Sequence, residues 1–428
     1  MLIVISDLHF IDESAGKHNI ATMAFKGAFN DIAKYNKKSE EVKLLFLGDI
    51  FDLLRTTKWL SIPKEERPWG DIQNKGTLIK DHAVEIFDDI IAKNAETLTF
   101  LRDELPKLFK KEIQKVYIPG NHDRLCNIYP ELRKKVRNTL GLPGGDESFS
   151  HVYDDMAYGN KYKVFARHGH EYDPWNYEGT TQWNEDDYAQ IPIGDLITCE
   201  VAARLPFTIM ANIGNTIPKD QKVLLKRNLQ EVDNVRPFPS ILNWIFYQIN
   251  ENPQIKDAIN ISLAQIADCI QNLPYFNKWC KRHDKLFRFD MADEVEALIE
   301  VFKHFNVTAA ETLITIFSKI FGAGNISSPD DSDKGLNNAA TDFLKRAKNY
   351  RFLVMGHTHN PLQMPVRVTS ENLDQVYVNT GTWRKRYIQG TAGGFVGLKY
   401  LTYSTFYSEA ENSRQSFETW TGSLKEND

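Results

Sequence analysis

Apolar and polar positions follow two textures along this chain. In the first, short unbroken apolar runs recur at Leu2–Ile5, Lys43–Leu47, Lys115–Ile118, Tyr162–Ala166 and Phe352–Met355. Runs of this length, rich in Val, Ile, Phe and Tyr, predict strands buried on both faces. Between the first three, helical spacing runs through 18–36 and 77–105, the second ending just before Pro106. Strand, helix, strand at this spacing predicts βαβ units and an α/β sheet.

The second texture is helical and fills 174–349, in segments such as GDLITCEVAARLPFTIMANIG, QIKDAINISLAQIADCIQNL, DEVEALIEVFKHF and AAETLITIFSKIFG. Prolines cut it into short helices, and the Ser/Asp/Gly cluster at 325–335 predicts a loop. Strand character resumes at 351–355, 375–379 and 394–403. The pattern therefore predicts an α/β core in two parts, 1–173 and 350–428, interrupted by a helical insertion at 174–349 that serves as a cap or an oligomerisation surface.

Composition narrows the class. With 42% hydrophobic residues the chain can build a large core, and its net charge of −5 exerts no general pull on nucleic acid or anionic membrane. Four cysteines without CxxC pairing read as reduced thiols. No basic, apolar and cleavable leader is visible in MLIVISDLHF, and no stretch approaches the roughly 18 apolar residues of a membrane span. A cytoplasmic protein is expected.

The strand ends carry the chemistry. Each of the five runs is followed by a polar turn: SDLH with Asp7 and His9, GDIFD with Asp49 and Asp52, PGNHD with Asn121, His122 and Asp123, RHGH with His168 and His170, and GHTH with His357 and His359. Six of the 11 histidines fall in these five turns. Ligands of open α/β sheets bind at the carboxyl ends of strands, so groups delivered there can converge. Carboxylate, imidazole and one amide oxygen, with no sulfur, suit Mn²⁺, Fe or Zn²⁺ better than a thiolate site or an all-oxygen Ca²⁺ cage.

The series DxH, GDxxD, GNHD, HGH and GHxH resembles the calcineurin-like metallophosphoesterase superfamily, over roughly 1–172 and 349–403. The resemblance implies a four-layer α/β/β/α sandwich with two divalent metal ions, manganese ahead of iron or zinc, between its sheets. One ion would be held by Asp7, His9, Asp49 and His359, the other by Asp49, Asn121, His168 and His357, with Asp49 shared. It also implies that His122 faces the phosphate, oriented by Asp52, while the ions activate a bridging water for in-line attack on phosphorus. GDIFDLL, lacking the Arg-Gly of the protein phosphatases, together with YVNTGTW at 377–383, is similar to the UDP-2,3-diacylglucosamine pyrophosphatase-type branch.

Other features surround this set. His170, Asp173, Trp175 and Asn176 lie beside a proposed ligand, where they either frame the approach to the site or turn the chain into the insertion. TWRKRY at 382–387 places Arg384, Lys385 and Arg386 after a late strand, and with Asp123 and His170 these are candidates to hold substrate. NKWCKRHDKLFR at 277–288 is basic and aromatic, a composition that binds nucleic acid or forms an ordinary solvated face. The expected function is hydrolysis of a phosphodiester or pyrophosphate bond in a small, nucleotide-like phosphate ester. A nuclease is the rival within enzymes, and a non-catalytic scaffold binding partners through the insertion is the rival outside them.

Overall fold

The computed structural model describes the chain except for residues 36–37, 70–71, 181–182, 237–239, 249–251, 286–289, 304–330, 412–414 and 425–428. The predicted helix at 309–322 and the start of the predicted loop at 325–335 therefore lie outside the described residues. Residues 331–335 open a helix, Asp331–Arg346.

The apolar runs form strands because each satisfies its backbone on two neighbours while burying side chains on both faces. In the first sheet β1 (Leu2–Ile5), β2 (Val42–Leu47) and β3 (Ile113–Ile118) are parallel, in the order β3-β2-β1. The second sheet holds β4 (Tyr153–Asp154), β5 (Val164–Ala166), β7 (Phe352–Met355), β8 (Leu362–Val368) and β9 (Asp374–Asn379) in the order β4-β5-β7-β9-β8. Within it β5, β7 and β9 are parallel, with Val164 opposite Phe352 and Phe352 opposite Val376. The chain then returns to the first sheet as β10 (Lys385–Gln389) and β11 (Phe395–Phe406), and β12 (Phe417–Leu424) pairs along β11.

Alternation of side chains across the strands sets the layers. Leu2, Val4, Leu45 and Leu47 of the first sheet pack with Val164, Ala166, Phe352 and Val354 of the second, forming one closed core between the sheets. Truncating Leu45 to Ala there should cost about 2–5 kcal/mol. Ile3, Ile5, Leu44 and Phe46 point the other way and meet Phe29 and Ile32 of the helix Thr22–Ala33 and Ile86 and Ile90 of the helix Ile72–Lys93. On the far side, Leu353, Met355 and Tyr377 pack against Leu336, Ala340 and Leu344 of the helix Asp331–Arg346. Helices, sheet, sheet and helix thus stack in that order.

The helical block is joined to this core. It contributes a short strand, β6 (Val235–Arg236), that runs parallel to β10 with Val235 opposite Tyr387. Two of its helices start at prolines, Pro253–Gln271 and Pro274–His283, where the missing N–H has no intrahelical partner to lose. The same rule corrects the expectation that Pro106 ends a helix. Asn94 marks the break, a π-helical turn follows at Phe100–Glu104, and Pro106 sits in the first turn of Leu105–Phe109.

One stretch, Glu185–Ile213, is long and apolar enough to cross a membrane by length and composition, against the sequence expectation that none approaches a span. It is not one continuous helix. The first segment ends at Ala189, Gln190 and Pro192 are extended, and the next begins at Ile193. Ile193, Leu196, Ile209 and Ile213 are buried in the main core.

Candidate functional site

Because β1, β2 and β3 run parallel, the turns that follow them lie at one edge of the first sheet. The turns after β5 and β7 lie together at an edge of the second. Local backbone strain marks these turns. Among the described residues ten non-glycine residues have positive φ, and five of them are Asp7, His9, Asp49, His357 and His359. Left-handed conformations cost of order 1–3 kcal/mol each for such residues and persist where surrounding structure fixes them. Two glycines allow the turns to approach: a Cβ on Gly120 would collide with the Asp49 carboxylate and amide, and one on Gly356 with Asp7 and Ser6.

The side chains converge. Asp7, His9, Asp49 and His359 present one ligand atom each within 4.8 Å of one another, and Asp49, His168 and His357 do the same. Asp49 is common to both groups, with its Oδ2 3.2 Å from His168 Nε2 and 3.7 Å from His9 Nε2. His359 Nε2 lies 3.2 Å from Asp7 Oδ1 and 3.0 Å from His9 Nε2. Asn121 Oδ1 is 3.1 Å from His357 Nδ1.

Outer contacts decide which atoms face inward. His9 Nδ1 donates to Asp52 Oδ2 at 3.0 Å, His168 Nδ1 donates to the Leu47 carbonyl at 2.9 Å, and His357 Nε2 donates to Asp173 Oδ2 at 2.9 Å. Each ring thus turns its other nitrogen toward the cluster. This arrangement of carboxylate or carbonyl behind imidazole is how proteins orient metal-ligating histidines. Asp7 Oδ1 and His168 Nε2 are buried yet make no hydrogen bond. Buried polar atoms left in that state are costly, and the set of carboxylate, imidazole and amide donors fits a divalent cation.

The charge balance agrees. Burial raises the Asp7 carboxyl above its ordinary range, with Asp49 adding to the effect and His168 opposing it. For Asp49 the imidazoles of His168 and His122 outweigh burial and hold the carboxyl well below that range. Burial opposes the charge on His168, but Asp49 and Asp7 lift it to about 10. A cation entering such a cluster displaces protons that the carboxylates otherwise hold on the imidazoles.

Asp52 is completely buried and serves two rings, since its Oδ1 also lies 3.1 Å from His122 Nδ1. It is fixed in turn by the amides of Leu54 and Arg55 at 3.1 and 3.0 Å. His122 lines a cavity of about 370 Å³ with Asp49, Asn121, His357 and His359. The GTW of the 377–383 motif braces the first turn: Thr382 Oγ1 and the Trp383 amide both donate to the Asp7 carbonyl, at 3.0 and 3.2 Å. Asn379 holds the Gly356 carbonyl at 2.9 Å.

The candidate substrate contacts divide. Arg386 lines the cavity, with one guanidinium nitrogen on the His359 carbonyl at 3.0 Å. Arg384 also borders it, but its guanidinium is buried and donates to Asp233 and Asn234 at 3.0 and 2.7 Å, tying the helical block to β10. Asp123 is fully buried, accepting from the amides of Ile50, Phe51 and Gly120, so it staples two turns together and does not face substrate. His170 lies behind His168, enclosed by Tyr177, Trp183 and Tyr188, and is likewise removed from the cavity. Sequence reasoning missed the walls that the helical block supplies, including Ile197, Thr198, Asp233 and Arg236. Nothing in their local sequence marks them, because the pairing of β6 with β10 brings 233–236 to the site.

A family model described as calcineurin-like phosphoesterase matches residues 1–199. Among curated proteins, none matches the chain.

Proposed function

We propose that this chain, whose residues 1–199 match a calcineurin-like phosphoesterase family model, is a hydrolase that uses two divalent cations to cleave a phosphodiester or pyrophosphate bond in a small anionic substrate. The observation that carries this reading is the buried convergence of Asp7, His9, Asp49, His168, His357 and His359, with Asp49 common to two groups. Asp7, His9, Asp49 and His359 would hold one cation, and Asp49, Asn121, His168 and His357 the other. Bound ions would supply hydroxide at neutral pH and neutralise phosphoryl oxygens. The donor set suits manganese, iron or zinc, and manganese is the ion put forward here.

The chain's own residues do the rest. Asn121 contributes a neutral oxygen, which limits the negative charge that a phosphate meets. His122, held at Nδ1 by Asp52, keeps Nε2 for the cavity and would donate a proton to the departing oxygen, a contribution of about 10²–10⁴ in rate. Arg386 and Arg236 sit on one face of the paired strands β10 and β6, where Ile388 is opposite Arg236, and both border the cavity. Planar guanidinium groups in that position suit a further phosphoryl oxygen.

A small substrate is favoured over a polynucleotide by the cavity size, the wall built from the helical block and the net charge of −5. A cytoplasmic setting, supported by four free cysteines, belongs to the same reading. The test is hydrolysis of bis(p-nitrophenyl) phosphate with Mn²⁺, expected in the wild type and absent in Asp49→Ala. Equal turnover in the variant would sink the catalytic reading. Processive degradation of oligonucleotides in preference to small diesters would select the nuclease instead.

A further inference from the structure

The turn that leads from the core into the helical block touches the site at two points. Asp173 Oδ2 accepts from His357 Nε2 at 2.9 Å, and Asn176 Oδ1 accepts from Asn121 Nδ2 at 3.2 Å. The two are linked, since Asn176 Nδ2 donates to Asp173 Oδ2 at 2.9 Å and the Trp175 amide donates to Asp173 Oδ1 at 3.0 Å. We propose that Asp173 and Asn176 are positioning residues for the second cation site, so that the root of the helical block governs the affinity of that ion. This rests on the two-cation reading above and adds to it which residues tune one site separately from the other.

With its Nε2 on Asp173, the His357 ring is left to offer Nδ1 to the site. With its amide nitrogen on Asn176, Asn121 presents its carbonyl oxygen. These two acceptors face each other 3.1 Å apart, an arrangement that a cation between them stabilises. Remove either outer contact and the ring can change tautomer or the amide can flip, which satisfies the pair without an ion. A carboxylate behind a metal-ligating imidazole fixes its tautomer and ring orientation.

The turn is itself seated by the block. The Gly194 amide donates to the Trp175 carbonyl at 2.8 Å, and a Cβ on Gly194 would run into that carbonyl and into Asn176. Tyr188 Oη donates to the Gly120 carbonyl at 3.0 Å, and Asp195 pairs with Arg124, so the block also steadies the GNHD turn. The first cation site takes its direct supports from the core, since Asp52 orients His9 and Thr382 and Trp383 hold Asp7; the block reaches it one step further out, where Arg55 beside Asp52 contacts Gln230, Asp233 and Asn234.

The experiment is calorimetric titration of the metal-stripped full chain with Mn²⁺, paired with kcat at low and high Mn²⁺. Wild type is expected to bind two ions. Asp173→Asn is expected to bind the second ion about 10–100-fold more weakly while the first changes little, and excess Mn²⁺ should restore kcat. Asn176→Ala provides a second variant with the same expectation should the first fail to fold. A variant that binds both ions as wild type does, or weakens both equally, overturns the proposal and leaves a purely structural role. Failure of the wild type to bind Mn²⁺ at all would instead overturn the two-cation reading itself.

Discussion

The two halves of the candidate centre are built alike in donors and differently in support. Asp7 and His9 lean on groups from the core: Asp52 at the end of the GDIFD turn, and the 380–383 segment that follows β9. His357 and Asn121 lean on Asp173 and Asn176, where the chain departs into the helical block. Asp49 stands between them and belongs to both. The difference teaches that one half takes its direct supports from the core, whereas the other takes them from the root of the block. A block that also supplies Arg236 to the cavity wall would then couple substrate contact and ion binding through a single element.

The comparison can be broken most forcefully at its shared member. Asp49→Ala should abolish hydrolysis of bis(p-nitrophenyl) phosphate and reduce bound Mn²⁺ at both positions, measured by elemental analysis of the dialysed protein. Next in size is His122→Ala, for which kcat should fall about 10²–10⁴-fold while the number of bound ions stays at the wild-type value. Loss of the ions in that variant would place His122 among the ligands and not at the substrate.

Asp52→Asn sharpens the contrast from the other side. It should weaken the first ion about 10–100-fold through His9 and lower kcat through His122, mirroring the effect of Asp173→Asn on the second ion. If both variants weakened the same ion, the two halves would not be separate. The smallest effect is expected at the wall: Arg236→Gln should raise KM for a pyrophosphate-linked substrate about tenfold with kcat much less affected, read from steady-state kinetics.

Much of this centre is written plainly in the chain. Strands buried on both faces must be short and apolar, so Leu2–Ile5 and Phe352–Met355 announce themselves, and their polar turns stand out because His and Asp have no packing reason to follow them. The first sheet's edge was less visible. β10 and β6 are short and mixed in character, and β6 becomes a strand only by pairing with a partner about 150 residues away. Long-range pairing leaves no periodicity to read. For the same reason Asp123 and Arg384 were legible as polar residues near the site, but not as the staple and the tie that burial makes of them. Asp173 was visible beside His168 in sequence, yet its contact is with His357, and only the fold joins them.

One measurement bears on the central claim most directly: anomalous scattering from crystals of the full chain grown with Mn²⁺. Two peaks are expected flanking Asp49, one within bonding distance of Asp7, His9 and His359 and the other of Asn121, His168 and His357. A map with no peak there, or with ions bound only elsewhere on the surface, would contradict it.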